Sequence, residues 1–383
     1  MKIYFVVGEP SGDLLASGLM KALMKIKPDI EFRGMGGESM TALGFQSSFN
    51  IAEISVMGFF EVLPRLPLIL KRIKQTATDI EQWQPDVIVT VDSWGFVSSL
   101  LSKLQKRGSK IPVVHYVAPQ VWAWKKKRAK KVAQLVDHLM MLLPNEGKYF
   151  EKYGLHCEFV GHPVTERISS ATYDEIAFRK RLDIPVNSRV ICVLPGSRRS
   201  EINRLAPIFK KVILGLKEKI GDFYVVIPTV AAMESRVSDF FSDIELPVRI
   251  VMGTEDRYNA FSISEVAIAA SGTVSLELAA LKVPHLIAYT FNPLTNTMAK
   301  MTVKIRFANL INLLADREII PEFVLGNCRS DLITNCVLNL LEDPKMAAQQ
   351  VLEAQQIMQR LRLPDILPSD RAAQVVLNAA QKE

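Results

Sequence analysis

The sequence predicts an α/β protein made of two parallel-sheet halves, and three observations carry that expectation. Short β-branched runs alternate with helical patterns along most of the chain, as the crossovers of a parallel sheet require. The alternation restarts after Gly161-His162-Pro163, so there are two series of strands. In both series strands stop at short turns that feed helices, and open α/β sheets bind ligands at such carboxyl-terminal edges. With 383 residues the chain is long enough for two domains, each with its own core.

In the first half the apolar runs at residues 3–7, 87–91, 113–117 and 138–143 predict strands, and an amphipathic helix runs from the first of them through Ile26. Residues 56–80 set Phe59, Phe60, Leu63, Leu66, Leu68, Ile69, Leu70 and Ile73 among Arg65, Lys71, Arg72 and Lys74. Two readings stay open there: an interfacial surface over anionic lipid, or a buried helix with a basic outer face. Pro64 and Pro67 argue against one continuous helix. A charged helical stretch at 174–182 and the turn Ile184-Pro185-Val186-Asn187-Ser188 open the second series. Its strands are expected at 190–194, 224–227, 248–251, 266–270 and 286–289, and residues 330–383 read as almost wholly helical. The expected domains are therefore 1–165 and 166–350, with helices in 351–383 packing back on the first.

The net charge of +7 and a pI near 9.1 fit an anionic partner without choosing among nucleic acid, membrane and phosphorylated substrate. Trp122 and Trp124 precede a cationic run from Lys125 to Arg128, but no nucleic-acid-binding fold is spelled and a phosphate-attracting rim or a solvated helix face suits the segment better. The apolar run before Gly8 is shorter than the core of a signal peptide, and no apolar stretch is long enough to span a bilayer. The expectation is a cytoplasmic protein with peripheral membrane contact. Cys157, Cys192, Cys328 and Cys336 lack metal or disulfide spacing, the five histidines are scattered and no D-x-D occurs, so neither metal nor cofactor is expected.

Four turns carry the chemistry. The strand 190–194 stops at Pro195-Gly196-Ser197-Arg198-Arg199-Ser200-Glu201-Ile202 and feeds a long helix, whose N-terminal N–H groups and dipole suit phosphate oxygens. Ser271-Gly272-Thr273 repeats the device after 266–270, and two such turns in one half suggest a nucleotide diphosphate. Gly8-Glu9-Pro10-Ser11-Gly12-Asp13 is either a substrate loop or only a capped helix start. Its acidic tip suits hydroxyl groups better than phosphate. Asp92, ending the strand 87–91, is either a general base or a helix N-cap; His115, at the next strand end, is either a core imidazole or a catalytic one.

Together these strings resemble the lipid-A-disaccharide synthases, a family of inverting glycosyltransferases of the GT-B type. The matching landmarks run nearly end to end: Gly8 to Asp13, Val56-Met57-Gly58 with Glu61-Val62-Leu63, His115-Tyr116-Val117 through Trp124, Gly161-His162-Pro163, Leu194 to Arg198, Ser271-Gly272-Thr273 with Leu276-Glu277, and Asn312-Leu313-Leu314. The resemblance implies two Rossmann-like domains facing across a cleft, with C-terminal helices packing across both. It further implies transfer of the sugar of UDP-2,3-diacylglucosamine to the 6-hydroxyl of 2,3-diacylglucosamine 1-phosphate. Asp92 matches the family's proposed base. Gly196, Ser197, Arg198, Ser271, Gly272, Thr273, Glu277 and Asn312 would hold the donor, with Glu277 on the ribose, and Glu9 and Ser11 would line the acceptor side. The implied partners are those two acylated sugars and an anionic membrane surface; nucleic acid is not expected, and self-association into a homo-oligomer is left open. Where family members commonly read Asp-x-Pro-Asp-Phe-Asn, this chain reads Asp92-Ser93-Trp94-Gly95-Phe96-Val97. The rival readings are another GT-B enzyme acting on UDP-N-acetylglucosamine and a non-catalytic nucleotide-sugar or lipid-binding protein.

Overall fold

The computed structural model describes residues 1–55, 59–121, 127–270, 272–290 and 306–381, with the backbone alone at 59–63 and 127. Its contacts divide into two units, Met1–Glu166 with Leu361–Glu383, and Arg167–Arg360. The first unit holds a six-stranded sheet of β1 (Lys2–Val7), β2 (Glu31–Met35), β3 (Val87–Val91), β4 (Val113–Tyr116), β5 (His138–Met141) and β6 (His156–Phe159), ordered β2-β1-β3-β4-β5-β6. The second holds β7 (Val190–Leu194), β8 (Tyr224–Thr229), β9 (Val248–Met252), β10 (Val266–Ala270), β11 (His285–Tyr289) and β12 (Glu322–Val324), ordered β12-β11-β10-β7-β8-β9. Every pairing is parallel, as the alternation of strands and helices requires.

Central strands read as unbroken apolar runs because helices cover both faces of the sheet: every residue of β3 and β7 is buried. Alternate residues of β1 enter opposite cores, Ile3, Phe5 and Val7 on one face and Tyr4 and Val6 on the other. Three strands have no counterpart among those expected from the sequence, namely β2, β6 and β12. Each is a sheet edge, partly exposed, and carries charged or ionisable residues such as Glu31, Arg33, His156, Glu158 and Glu322. An edge strand is hydrogen-bonded on one side only, so its apolar signal is weak.

Phe59–Trp83 is one helix with Pro64 and Pro67 inside it, contrary to the interruption those prolines suggest. The reason lies downstream, where Ile69, Ile73, Ala77 and Ile80 recur at helical spacing and pack into the first unit's core. Both prolines are exposed, so water can take up the carbonyls whose N–H partners they lack. The outer face is not uniformly free. Arg72 donates to both oxygens of Glu53 at 2.7 and 2.9 Å, and Arg65 donates to the Ala52 carbonyl at 3.1 Å. Near the end of the chain, Ser330–Glu342 packs on Arg199–Ile220 within the second unit, and Pro344–Gln359 packs on Val274–Ala280. Pro368–Ala380 packs on Pro10–Ile26, β3 and β5 in the first.

Candidate active site

In the first unit the chain leaves β1 toward β2 and leaves β3 toward β4 on the opposite side, so β1 and β3 flank a topological switch point. Val7 pairs with Val91, which sets Gly8-Glu9 beside Asp92-Ser93. Gly8 permits the approach, because a Cβ there would lie 2.6 Å from Ser93 Oγ. Ser93 Oγ stands 3.5 Å from a Glu9 carboxylate oxygen, and Ser11 is exposed on the first turn of Pro10–Ile26. Asp13 faces inward instead. Its carboxylate accepts the N–H groups of Gly37 and Ser39 at 2.7 Å each and of Met40 at 3.3 Å, clamping the loop after β2 onto the helix. The helix N-cap, Glu9, makes no side-chain capping bond.

Asp92 and Ser93 both adopt left-handed backbone, at φ 52° and 45°, and Val117 at the end of β4 does so at φ 82°. Such conformations disfavour non-glycine residues, most of all a β-branched one, and persist only where the surroundings impose them. Asp92 still donates its backbone N–H to the Tyr116 carbonyl at 3.0 Å. The N-cap of Trp94–Lys106 is Ser93, without a side-chain capping bond, so the capping role considered for Asp92 is not seen. Burial pushes the Asp92 carboxyl above the ordinary carboxylate value, and a hydrogen bond from the Ser93 backbone only partly offsets it. A half-buried carboxylate of raised pKa at a sheet's ligand-binding edge is suited to accept a proton.

His115 settles as a core imidazole. It is fully buried, with Nδ1 2.7 Å from Thr90 Oγ1 and the Trp94 ring edge-on at 5.1 Å. Burial pushes its pKa down to about 3, so it stays neutral at physiological pH. Its Nε2 is buried with no hydrogen-bond partner among the described residues.

The second unit repeats the topology: β7 leads to β8 on one side and β10 to β11 on the other, with Leu194 paired to Ala269. The turns after these neighbouring strands therefore start together. Gly196 has φ +110°, and Ser197 and Arg198 are exposed at the start of the helix Arg199–Ile220. Glu201 accepts the N–H groups of Ser197 and Arg198 at 3.1 and 3.3 Å and the Arg198 guanidinium at 3.1 Å. From β10, Gly272 at φ +148° and Thr273 are both exposed, while Ser271 lies outside the described residues.

Two expected donor contacts face inward. Glu277 is buried, and its Oε1 accepts from Arg257 Nη2 at 3.1 Å; burial raises its pKa while the charges of Arg257 and Arg167 pull it back. One of its oxygens is thus engaged within the protein. Asn312 is fully buried, donates to the Ile320 carbonyl and Glu322 Oε1 at 2.7 Å each, and accepts from the Ile319 and Ile320 N–H groups at 2.8 and 2.9 Å. Its amide is saturated, so as the structure stands it braces the turn before β12 rather than facing a ligand. Ser275 and His285, 2.7 Å apart, have the chemistry of a nucleophile and its base. Both are about 1% exposed, His285 Nδ1 is held 2.8 Å from the Val283 carbonyl, and burial lowers its pKa to about 4, so the pair is a structural link.

The sequence alone assigned no role to Glu201 or Arg257. Arg198-x-x-Glu201 has the spacing of a capping box but not its Ser or Thr, so the sequence does not mark it; the Arg257–Glu277 contact joins separate helices and leaves no local signal either. Among the described residues no group of three His, Cys, Asp or Glu side chains gathers to hold a metal ion.

The family model for lipid-A-disaccharide synthetase matches residues 3–376. The lipid-A-disaccharide synthase of Paramagnetospirillum magneticum is 43% identical over 381 residues, 99% of this chain and 97% of that protein. Among solved structures, the UDP-GlcNAc 2-epimerase of Neisseria meningitidis bound to UDP-GlcNAc superposes with a TM-score of 0.67 at 14% identity, covering 100% of both chains. A glycosyltransferase from Rickettsia africae gives 0.61 at 14% identity, covering 100% of this chain and 99% of that one. At such identities the likeness concerns the fold, the two-sheet GT-B architecture.

Proposed function

The chain belongs to the lipid-A-disaccharide synthetase family, and from that premise we infer that it transfers 2,3-diacylglucosamine from UDP-2,3-diacylglucosamine to the 6-hydroxyl of 2,3-diacylglucosamine 1-phosphate. The product is the β-1,6-linked disaccharide 1-phosphate, with UDP released. In one in-line displacement the acceptor oxygen bonds to the anomeric carbon, its proton passes to the Asp92 carboxylate, and the bond to the diphosphate breaks with its electron pair leaving on UDP. Arg198 and the turn Gly196-Ser197 receive the diphosphate, helped by Ser271, Gly272 and Thr273. Glu277, oriented by Arg257, takes the ribose side, and Glu9 and Ser11 line the acceptor side.

The observation that supports this assignment is that the proposed base and the proposed diphosphate turn each end a strand at the switch point of its own sheet. Incubation of the purified protein with both acylated sugars tests it, with disaccharide 1-phosphate and UDP expected in equal amounts. UDP release without disaccharide would point to hydrolysis, and UDP binding without turnover to a non-catalytic binder.

No helix among the described residues is long and apolar enough to cross a membrane. Both substrates carry acyl chains, and Phe59–Trp83 presents Leu66 and Leu70, 43% and 56% exposed, near Lys71 and Lys74. Among the described residues neither lysine has a carboxylate partner, whereas Arg72 is held by Glu53. This face supports peripheral contact with anionic lipid; of a second basic stretch in the sequence, Lys300, Lys304 and Arg306, the two lysines lie outside the described residues and Arg306 Nη1 stands 3.8 Å from Asp316 Oδ1. Replacing Lys71 and Lys74 together by Gln is expected to weaken binding to anionic vesicles roughly thirtyfold at low salt, at about 1 kcal/mol per cation. Co-sedimentation equal to that of the unaltered protein would assign the membrane face elsewhere.

A further inference from the structure

We propose that Glu201 is the donor site's own anion: its carboxylate holds the N–H groups that the leaving diphosphate must reach, so donor and side chain exchange places. That exchange sets which anions the turn accepts and helps UDP to leave. The proposal rests on the assignment of the diphosphate to Gly196, Ser197 and Arg198.

The turn is shaped around this carboxylate. A Cβ on Gly196 would lie 2.6 Å from Glu201 Oε2 and 2.7 Å from its Cβ, so only glycine leaves room for the side chain at this left-handed position. A capping glutamate needs only the N-cap N–H. Glu201 takes that group, the preceding Ser197 N–H and the Arg198 guanidinium. Consecutive N–H groups beside an arginine are what a bound phosphate collects. The Glu201 side chain is 11% exposed while that of Arg198 is 56% exposed, so the carboxylate lies inside the turn with the guanidinium over it.

Other groups feel the same charge. Burial pushes the Tyr289 phenol up and the negative charge of Glu201 pushes it further, while Arg204 and Arg198 pull it back. A tethered carboxylate competes at high effective concentration, so inorganic phosphate or pyrophosphate, with no other contacts, displaces it poorly. A nucleoside diphosphate gains further contacts through its ribose and base, and these drive the exchange. After transfer the carboxylate can return to its N–H groups as UDP departs.

The test is Glu201→Gln, which keeps size and one acceptor oxygen and removes the charge. UDP affinity by calorimetry should rise on the order of tenfold, because charge-assisted hydrogen bonds are about twice as strong as neutral ones. Inorganic pyrophosphate, a weak competitor of the unaltered protein, should become an effective one. Unchanged or weaker UDP binding with only a lower melting temperature would make Glu201 an ordinary helix cap and overturn the proposal. A structure of the unaltered protein with UDP gives a second measurement: the carboxylate should have left the Ser197 and Arg198 N–H groups, and finding it still there with UDP bound would also overturn it. Failure of Arg198→Ala to alter UDP affinity would instead remove the donor-site assignment, and this proposal with it.

Discussion

Replacing Asp92 by asparagine is expected to lower sugar transfer by about 10²–10⁴-fold, the range lost with a general base, while UDP affinity stays close to that of the unaltered protein. The same change should stabilise the fold at neutral pH. Burial raises the Asp92 pKa above its ordinary value, so between the two values the folded state binds more protons than the unfolded state. Unfolding free energy therefore falls as pH rises through that window, and above it the charged carboxylate is a net liability that asparagine removes. Asparagine also tolerates the left-handed backbone at φ 52° as well as aspartate does. Activity has the opposite sign: it requires the ionised base and should decline as pH falls through the raised pKa. Initial rates against pH, with chemical denaturation of both proteins, test the pair of effects. Full turnover in the asparagine variant would remove Asp92 from the chemistry and leave it a strained turn residue.

The parts of this molecule that were legible in the sequence are those whose physics is local. β3 and β7 are covered on both faces, so their burial is written as consecutive apolar residues, and the turns after β7 and β10 carry glycines at positive φ. Side chains whose meaning depends on a distant partner were not legible. Nothing near Glu277 announces that Arg257 holds it, and nothing near Asn312 announces that the turn before β12 will saturate its amide. The same holds for Phe59–Trp83, where tertiary packing of Ile73, Ala77 and Ile80 overrides the helix-breaking tendency of two prolines. The Asp92 turn lies between these cases. Its residue type and strand-end position were visible, but its backbone strain arises from closing β3 onto the helix from Trp94, a helix whose buried Trp94, Phe96 and Val97 fix it against the core.

Arg198→Ala is expected to weaken UDP binding and to slow transfer by about 10²–10³-fold, the loss typical of removing one preorganised donor from a developing charge. The diphosphate gains negative charge as its bond to the sugar breaks, so a guanidinium at the turn helps the transition state more than the bound donor. The decline in kcat should therefore exceed what the loss of UDP affinity alone predicts. Arg198 has the reach for this role: its side chain is 56% exposed at the start of Arg199–Ile220 and now rests on Glu201. Arg198→Lys supplies the control. Lysine keeps the charge but not the planar fork that can engage two oxygens at once, so it should restore binding more fully than rate. If both variants bind UDP and turn over like the unaltered protein, the diphosphate does not sit at this turn. The second unit would then need another cationic group to receive it.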